Sequence, residues 1–238
     1  MDEIHPTIDL SLRPARKFPI FQESTGFLSF LSDWLCGPMV FRAARGLADA
    51  ICVPDHFVEM LLLVEDKRFV IHSGVDPLAI MRALLFNARG RVIQGASTIP
   101  QQVYSIRWSE SGGRSRDWRY KTKQILWSIF HSALNKKRDI LKEYVATVYW
   151  GRSYYGLDDA AQGYFNQARQ SLSVAQSFFL AERLAAPNRI SVGRISNLLN
   201  RTPIAVSLDT YGATTREVLR LYEYVYGSRG DICRRREK

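Results

Sequence analysis

Two adjacent carboxylates, Glu65 and Asp66, directly follow an apolar segment at residues 57–64 that has the composition of a buried helix. A carboxylate carried into apolar surroundings loses hydration, so its pKa rises toward neutrality. A general base that works near pH 7 needs such surroundings. The structural alternative is that the two carboxylates pair with nearby basic side chains, such as Lys67 and Arg68, at a solvated helix end.

The segment after the carboxylates contains two predicted helix starts. Asp76 and Pro77 are typical of an N-cap and a first helical position, and they predict a helix over about residues 78–88. The pattern Thr98-x-x-Gln101 is typical of a capping box that opens the next helix. These helix starts and the end of the carboxylate-bearing helix could line one cleft, and the spacing leaves their convergence open.

The same segments carry two longer patterns. Residues 65–76 contain Glu-Asp-x-x-Phe-x-x-His-x-Gly-x-Asp, and residues 95–102 read Gly-Ala-Ser-Thr-Ile-Pro-Gln-Gln. These patterns resemble the first two signature motifs of glycosyltransferase family 51, the peptidoglycan glycosyltransferases, with Pro100 where the family usually has Thr. That family includes monofunctional transglycosylases and the polymerase domains of penicillin-binding proteins. The resemblance covers about residues 53–190 and implies a mainly α, lysozyme-like helical glycosyltransferase domain.

The resemblance also implies roles for individual residues. Glu65 would be the catalytic base that takes the proton from the 4-hydroxyl of the acceptor sugar. An orienting role is favoured for Asp66, and a turn-stabilising hydrogen bond for His72. Helix capping alone would explain Ser97 and Thr98. The positions predicted to bind substrate are Asp66, Arg68, His72, Ser97, Thr98, Gln101, Gln102, Arg116, Lys121, Lys123 and Gln124.

Basic side chains are concentrated between residues 107 and 142, where ten Lys and Arg outnumber three Asp and Glu. The whole chain has a net charge of +10. Such a stretch attracts phosphate groups or anionic lipid head groups. A solvated helix face is the structural alternative. Nucleic acid is not predicted as a partner, because no nucleic-acid-binding motif accompanies the charge.

Within this stretch, residues 116–124 read Arg-Asp-Trp-Arg-Tyr-Lys-Thr-Lys-Gln and resemble the family's third motif. The resemblance implies that Arg116 and Lys121, with Lys123 as a second choice, contact the diphosphate of the lipid-linked donor. A leaving diphosphate gathers negative charge as the sugar bond breaks, and fixed cations stabilise that charge. Further matches to the family lie at residues 140–151, 156–165 and 172–187.

Two positions depart from the family pattern. Gln124 stands where the family usually has Glu, and Ser105 stands where it usually has Lys. Gln124 cannot carry charge, which weakens any role in holding a divalent cation. We therefore predict no required cofactor and no metal ligand among the residues, with Mg²⁺ or Mn²⁺ as an optional addition.

The function that the resemblance favours is polymerisation of the lipid-linked disaccharide-peptide (lipid II) into glycan strands, with inversion and release of polyprenyl diphosphate. The expected partners are lipid II, the growing glycan strand, the membrane surface and other cell-wall synthesis proteins. Gln124 and Ser105 motivate an alternative: a catalytically impaired homologue that binds lipid II or a cell-wall partner without turnover. A lysozyme-type hydrolase is a third hypothesis.

The predicted domain organisation has three parts. Residues 1–52 form an N-terminal arm and a membrane-proximal or packing helix, residues 53–190 form the glycosyltransferase core, and residues 191–238 form an extension with one helix and a basic tail. Three widely spaced cysteines indicate neither a zinc site nor a disulfide framework.

Residues 26–41 are apolar, but they are interrupted by Asp33, Gly37 and Pro38. The segment is shorter than the roughly 20 residues of a spanning helix, so an interfacial or a packing helix is favoured over a span. The family usually has a membrane anchor here. The expected location is the periplasmic face of a bacterial inner membrane, with peripheral or N-terminally anchored attachment.

Overall fold

The computed structural model describes residues 24–87, 97–108 and 118–227, and these residues form eleven α-helices, one 3₁₀ turn and one two-stranded hairpin. The elements are α1 (Ser24–Ile51), α2 (Asp55–Glu65), α3 (Pro77–Asn87), α4 (Ile99–Trp108), α5 (Trp118–Leu134), α6 (Lys137–Thr147), β1 (Tyr149–Gly151), β2 (Tyr154–Tyr155), α7 (Leu157–Phe165), the 3₁₀ turn (Arg169–Ser171), α8 (Val174–Arg183), α9 (Val192–Leu199), α10 (Thr202–Thr210) and α11 (Thr215–Gly227). The predicted mainly α fold is confirmed.

Helix α2 occupies the centre of the fold. Seven consecutive residues from Phe57 to Leu63 are buried, so the helix has no solvent-facing side along this stretch. Such a helix is stable only inside a protein, and α2 packs against α1, α8 and α10. Its buried carboxylate, Glu59, accepts hydrogen bonds from Ser207 Oγ and Tyr211 Oη, each at 2.7 Å. These contacts fix the helix that carries Glu65 at its end.

Helix α8 is the second central helix and packs along α2. A capping box opens it, in which Ser173 Oγ accepts from Gln176 N at 3.3 Å and Gln176 Oε1 accepts from Ser173 N at 2.8 Å. Every residue from Ser177 to Arg183 is buried.

Helix α1 runs without a break through Pro38, so this proline interrupts the apolar run of residues 26–41 but not the helix. Its second half buries a stripe made of Val40, Ala44, Leu47 and Ile51. This stripe packs against the core, which outweighs the backbone hydrogen bond lost at a proline. Within the part of the chain that the structure describes, no helix is both long and apolar enough to cross a membrane.

Residues 191–227 contain three helices, α9, α10 and α11, whereas the sequence predicted one after residue 190. Helices α9 and α10 have eight and nine residues. Helices this short are marginal on their own and depend on tertiary packing, here through Ile195, Leu199, Ile204 and Leu208. The periodicity of so short a segment is a weak signal. The domain boundaries after residues 52 and 190 stay predictions.

Candidate active site

Glu65 is the last residue of α2 and is half-buried. Its Oε2 atom accepts a hydrogen bond from Gln102 Nε2 at 2.9 Å. Burial raises the pKa of Glu65, while the hydrogen bond from Gln102 and the positive charge of Arg194 partly oppose this rise. A carboxylate in such surroundings can take a proton from a hydroxyl group near neutral pH.

Asp66 is buried and connects three elements. Its carboxylate accepts from His72 Nε2 at 2.9 Å and from the backbone N of Ile99, at the start of α4, at 2.9 Å. Gly74 N donates to His72 Nδ1 at 3.2 Å, so the imidazole proton lies on Nε2 and points at Asp66. This arrangement fixes the end of α2 against the start of α4.

The turn after the carboxylates is held by Gly74 and Thr98. Gly74 has φ +96°, and a Cβ atom there would lie 2.1 Å from the backbone O of Ser128, so only glycine fits. Thr98 Oγ1 donates to Gly74 O at 2.6 Å, and Thr98 N donates to Gln101 Oε1 at 3.1 Å. Only one of the two hydrogen bonds of the predicted capping box therefore forms, because the hydroxyl group of Thr98 donates to the turn instead.

Arg68 and Asp76 form a mostly buried ion pair with Nε and Oδ2 2.7 Å apart. The other oxygen of Asp76 accepts from Ala79 N at 3.1 Å, which is the N-cap predicted for α3. Arg68 therefore pairs with Asp76 across the turn. Its predicted substrate contact stays a prediction.

Two of the predicted diphosphate ligands, Lys121 and Lys123, lie on α5. Lys121 Nζ donates to Gln124 Oε1 at 2.7 Å and approaches Ser97 Oγ at 3.4 Å. Partial burial lowers the pKa of Lys121. Lys123 is exposed on the same helix. Arg116 lies outside the described residues.

Gln124 and Ser105, the two departures from the family pattern, contact each other. Gln124 Nε2 donates both to Ser105 Oγ at 2.7 Å and to the backbone O of Gln101 at 2.7 Å. Tyr120 Oη donates to Ser105 Oγ at 3.2 Å. The chain thus has a neutral hydrogen-bonded pair at these positions.

Gln124, which stands where the family usually has Glu, is a poor ligand for a divalent cation in this arrangement. Gln124 Oε1 accepts from Lys121, and a cationic donor competes with a metal ion for that oxygen. Across residues 24–87, 97–108 and 118–227, no three His, Cys, Asp or Glu side chains group as metal ligands.

Helix α4 connects the predicted base to the predicted diphosphate ligand Lys121 through hydrogen bonds. Gln102 binds Glu65, and the preceding residue, Gln101, binds Gln124 through its carbonyl group. The predicted residues that the structure brings together around the start of α4 are Glu65, Asp66, His72, Ser97, Thr98, Gln101, Gln102, Lys121 and Gln124.

The sequence indicates no functional role for Tyr144. The spacing predicts only an apolar helical stripe that packs in the core, formed by Ile140, Leu141, Tyr144, Val145 and Val148. Its Oη donates to Gln102 Oε1 at 2.7 Å. The periodicity of the apolar residues identifies a buried tyrosine but does not identify the group to which its hydroxyl donates.

A buried charged cluster near Glu65 was also missed. Glu182 is fully buried, and its Oε2 accepts from Arg183 Nε at 2.8 Å and from Tyr222 Oη at 2.9 Å. Its Oε1 lies 3.5 Å from Arg194 Nε. The charge of Glu182 raises the pKa of Glu65. The sequence signal for this cluster is the adjacent pair Glu182 and Arg183 inside an otherwise apolar helix.

Comparison with known proteins gives the family. The family model described as Transglycosylase matches residues 40–206. Penicillin-binding protein 1A of Rickettsia prowazekii (strain Madrid E) is 35% identical over 144 residues, which are 58% of this chain and 18% of that protein. Biosynthetic peptidoglycan transglycosylase of Stutzerimonas stutzeri (strain A1501) is 34% identical over 148 residues, which are 62% of this chain and 60% of that protein. This chain therefore spans less than two thirds of either relative. Because the family match extends over more than half of its 238 residues, the chain belongs to the transglycosylase family.

Proposed function

We propose that this protein is a peptidoglycan glycosyltransferase that polymerises lipid II into glycan strands. The observation that carries the proposal is that α4 contacts both sides of the site. Gln102 of α4 donates to the half-buried Glu65, whose pKa is raised by burial, and the carbonyl of Gln101 holds the amide of Gln124, which in turn binds Lys121. The Stutzerimonas stutzeri relative is named a biosynthetic peptidoglycan transglycosylase, which supports the same substrate class.

In this mechanism Glu65 takes the proton from the 4-hydroxyl of the acceptor sugar. The hydroxyl oxygen attacks the anomeric carbon of the donor from the opposite side of its bond to diphosphate. A new glycosidic bond forms, the bond to the diphosphate oxygen breaks with its electron pair, and polyprenyl diphosphate leaves. The proton remains on Glu65 until solvent removes it.

Lys121 stabilises the leaving diphosphate. Its ammonium group is partly desolvated, so its attraction to a phosphate oxygen is less screened than in bulk water. Gln124 and Ser97 hold the ammonium group at its present position. Diphosphate leaves without strong protonation, so no second carboxylic acid is required. The mechanism contains no metal-dependent step.

Replacing the base tests the proposal. Glu65→Gln keeps the side-chain shape and the contact with Gln102 but cannot accept a proton. We expect polymerisation of purified lipid II to fall by a factor of about 10² to 10⁴, the usual contribution of a general base. Glu223→Gln, an exposed carboxylate on α11, is the matched control and should keep full activity. An unchanged rate in Glu65→Gln would remove Glu65 from the mechanism.

The same variant should remain folded. The raised pKa of Glu65 means that its charged form is disfavoured in the folded state, so this cost is present at neutral pH. We expect Glu65→Gln to raise the free energy of unfolding at pH 7 by about 0.5–1 kcal/mol. This gain in stability should vanish as the pH falls below the ordinary carboxyl pKa of 4.5, because Glu65 is then protonated in both the folded and the unfolded state. Urea unfolding at both pH values measures it.

We also propose that α5 faces the membrane surface where lipid II resides. Five of its apolar side chains are exposed: Trp118, Leu126, Ile129, Phe130 and Leu134. Exposed basic residues flank them, including Arg119, Lys123, Lys136 and Arg138. Exposed apolar groups beside cations are the composition of a surface that binds anionic lipid. This arrangement supports contact with a membrane surface. The outer face of a bacterial inner membrane and other cell-wall synthesis proteins are proposed as the location and the further partners, because peptidoglycan is assembled there.

A further inference from the structure

Three side chains form a continuous hydrogen-bonded chain that ends at the predicted base. Tyr144 Oη donates to Gln102 Oε1 at 2.7 Å, and Gln102 Nε2 donates to Glu65 Oε2 at 2.9 Å. Tyr144 is fully buried on α6, Gln102 lies on α4, and Glu65 ends α2. Three helices thus contribute one residue each.

The amide of Gln102 has two chemically different ends. Its oxygen only accepts hydrogen bonds, and its nitrogen only donates. When Tyr144 donates to the oxygen, the nitrogen must point at Glu65. The reversed amide would place an oxygen against a carboxylate and would suit only a protonated Glu65. The hydroxyl of Tyr144 therefore selects the amide direction that favours an unprotonated carboxylate.

We propose that Tyr144 is a positioning residue for the catalytic base: through the amide of Gln102 it keeps Glu65 ready to accept a proton from the acceptor sugar. This inference rests on the proposed function, which makes Glu65 the base. The same contact has a second consequence after each transfer. Because the amide still presents an N–H group, it favours loss of the proton from Glu65 and so resets the base for the next sugar.

The electrostatics of the site agree with this geometry. The hydrogen bond from Gln102 lowers the pKa of Glu65 against the larger effect of burial. The charged or titratable groups that act on Glu65 are Asp66 and Glu182, which raise its pKa, and Arg194, which lowers it. Burial raises the pKa of Tyr144 well above its ordinary value, so its hydroxyl stays a donor throughout the working pH range.

The variant Tyr144→Phe removes the hydroxyl and leaves the ring. We expect the pKa of Glu65, followed by the ¹³C resonance of its carboxyl group in the free protein, to rise by roughly half to one unit. The acidic limb of the kcat/KM profile for lipid II polymerisation should move up by the same amount. At high pH, where Glu65 is unprotonated in both proteins, the rate should approach that of the unmodified protein.

The matched control is Tyr164→Phe. Tyr164 is also a buried tyrosine, and its hydroxyl donates to the backbone O of Trp150 at 3.0 Å, away from Glu65. Its loss should lower stability to a similar degree and leave the pKa of Glu65 unchanged. If Tyr144 had a purely structural role, Tyr144→Phe would likewise lower stability and leave the pKa of Glu65 unchanged.

A second variant guards against poor folding of Tyr144→Phe. Gln102→Ala should raise the pKa of Glu65 by at least as much, and adding Tyr144→Phe should give no further rise, because the hydroxyl acts only through the amide. An unchanged pKa in Tyr144→Phe, or a full additional rise in the double variant, would overturn the proposal. The resonance needs no substrate. If the resonance shifts in Tyr144→Phe but the unmodified protein makes no glycan, Tyr144 controls the protonation of Glu65 through the amide and the proposed function is wrong.

Discussion

Gln124 and Ser105 act as one unit at the scale of single residues. The amide nitrogen of Gln124 donates to two oxygens, the backbone O of Gln101 and Ser105 Oγ, while its amide oxygen accepts from Lys121. A glutamate at 124 could keep Lys121 as a partner through one oxygen. Its other oxygen would face the carbonyl of Gln101 without a proton between them. Gln124 and Ser105 are therefore complementary as a neutral pair, and changing only one of the two residues removes hydrogen bonds between them.

We expect Gln124→Glu alone to lower the free energy of unfolding by about 1–2 kcal/mol at pH 7, because a donor that served two acceptors is replaced by an acceptor. The double variant Gln124→Glu with Ser105→Lys should recover most of this loss, since the new ammonium group can pair with the second oxygen. Urea unfolding and lipid II polymerisation of the unmodified protein, the two single variants Gln124→Glu and Ser105→Lys, and the double variant measure the coupling. A Gln124→Glu variant as stable as the double variant would refute the coupling.

The same variants test the alternative of a binder without turnover. If glycan is made only once Gln124 is changed to Glu, the natural chain is a binder.

Single-residue chemistry was predictable where a motif fixes both type and spacing. His72 makes the turn-stabilising hydrogen bonds that the first motif implied for it, to Asp66 and from the backbone N of Gly74. The direction of Arg68 was not predictable, because its pairing with Asp76 depends on how the turn closes. Tyr144 was missed for a similar reason. The helical stripe gives its burial, whereas its partner Gln102 comes from a different helix.

At the scale of elements, a buried ion pair joins α8 to α9 and α11. Glu182 and Arg183 are both fully buried. Tyr222 of α11 donates to Glu182 at 2.9 Å, Arg183 Nη1 donates to the backbone O of Arg189 at 2.7 Å, and Arg194 of α9 approaches Glu182 at 3.5 Å. The pair thus fixes the C-terminal helices behind the helix that supports α2.

We expect Arg183→Met to lower the free energy of unfolding by about 3–5 kcal/mol, because it leaves Glu182 buried without its main partner. The double variant Glu182→Gln with Arg183→Met should lose less, since no buried charge remains. Urea unfolding measures both, and Arg220→Met, which changes an exposed arginine on α11, is the control. If Arg183→Met loses no more stability than the double variant, pairing with Arg183 does not stabilise the buried carboxylate of Glu182.

The elements that the sequence predicted best are those with long periodic or uniformly apolar patterns. Helix α2 reads as buried from its composition, and α11 has an evident cap and a clear end. Helices α9 and α10 could not be predicted in the same way, because they are short and their apolar residues pack against distant parts of the chain. Helix α1 passes Pro38 for the same tertiary reason.

On the scale of the whole molecule, charge and exposed apolar surface coincide. The net charge of +10 is concentrated in the stretch that contains α5. Leu134 and Phe130 on that helix are 84% and 66% exposed. Side chains this exposed add little to folding stability, so their contribution to membrane binding can be separated from their contribution to the fold.

We therefore expect the double variant Phe130→Ser with Leu134→Ser to weaken binding to vesicles that contain anionic lipid by at least about tenfold, because each apolar side chain gains about 1.5–3 kcal/mol on full burial and partial insertion recovers part of it. Its urea unfolding should match that of the unmodified protein. Val206→Ser with Tyr224→Ser, which changes exposed apolar residues on α10 and α11, is the matched control and should bind normally. Binding should also weaken as salt rises, since salt screens the attraction between the basic residues and the lipid head groups. Equal binding by the α5 variant and the control would place the membrane-facing surface elsewhere on the molecule.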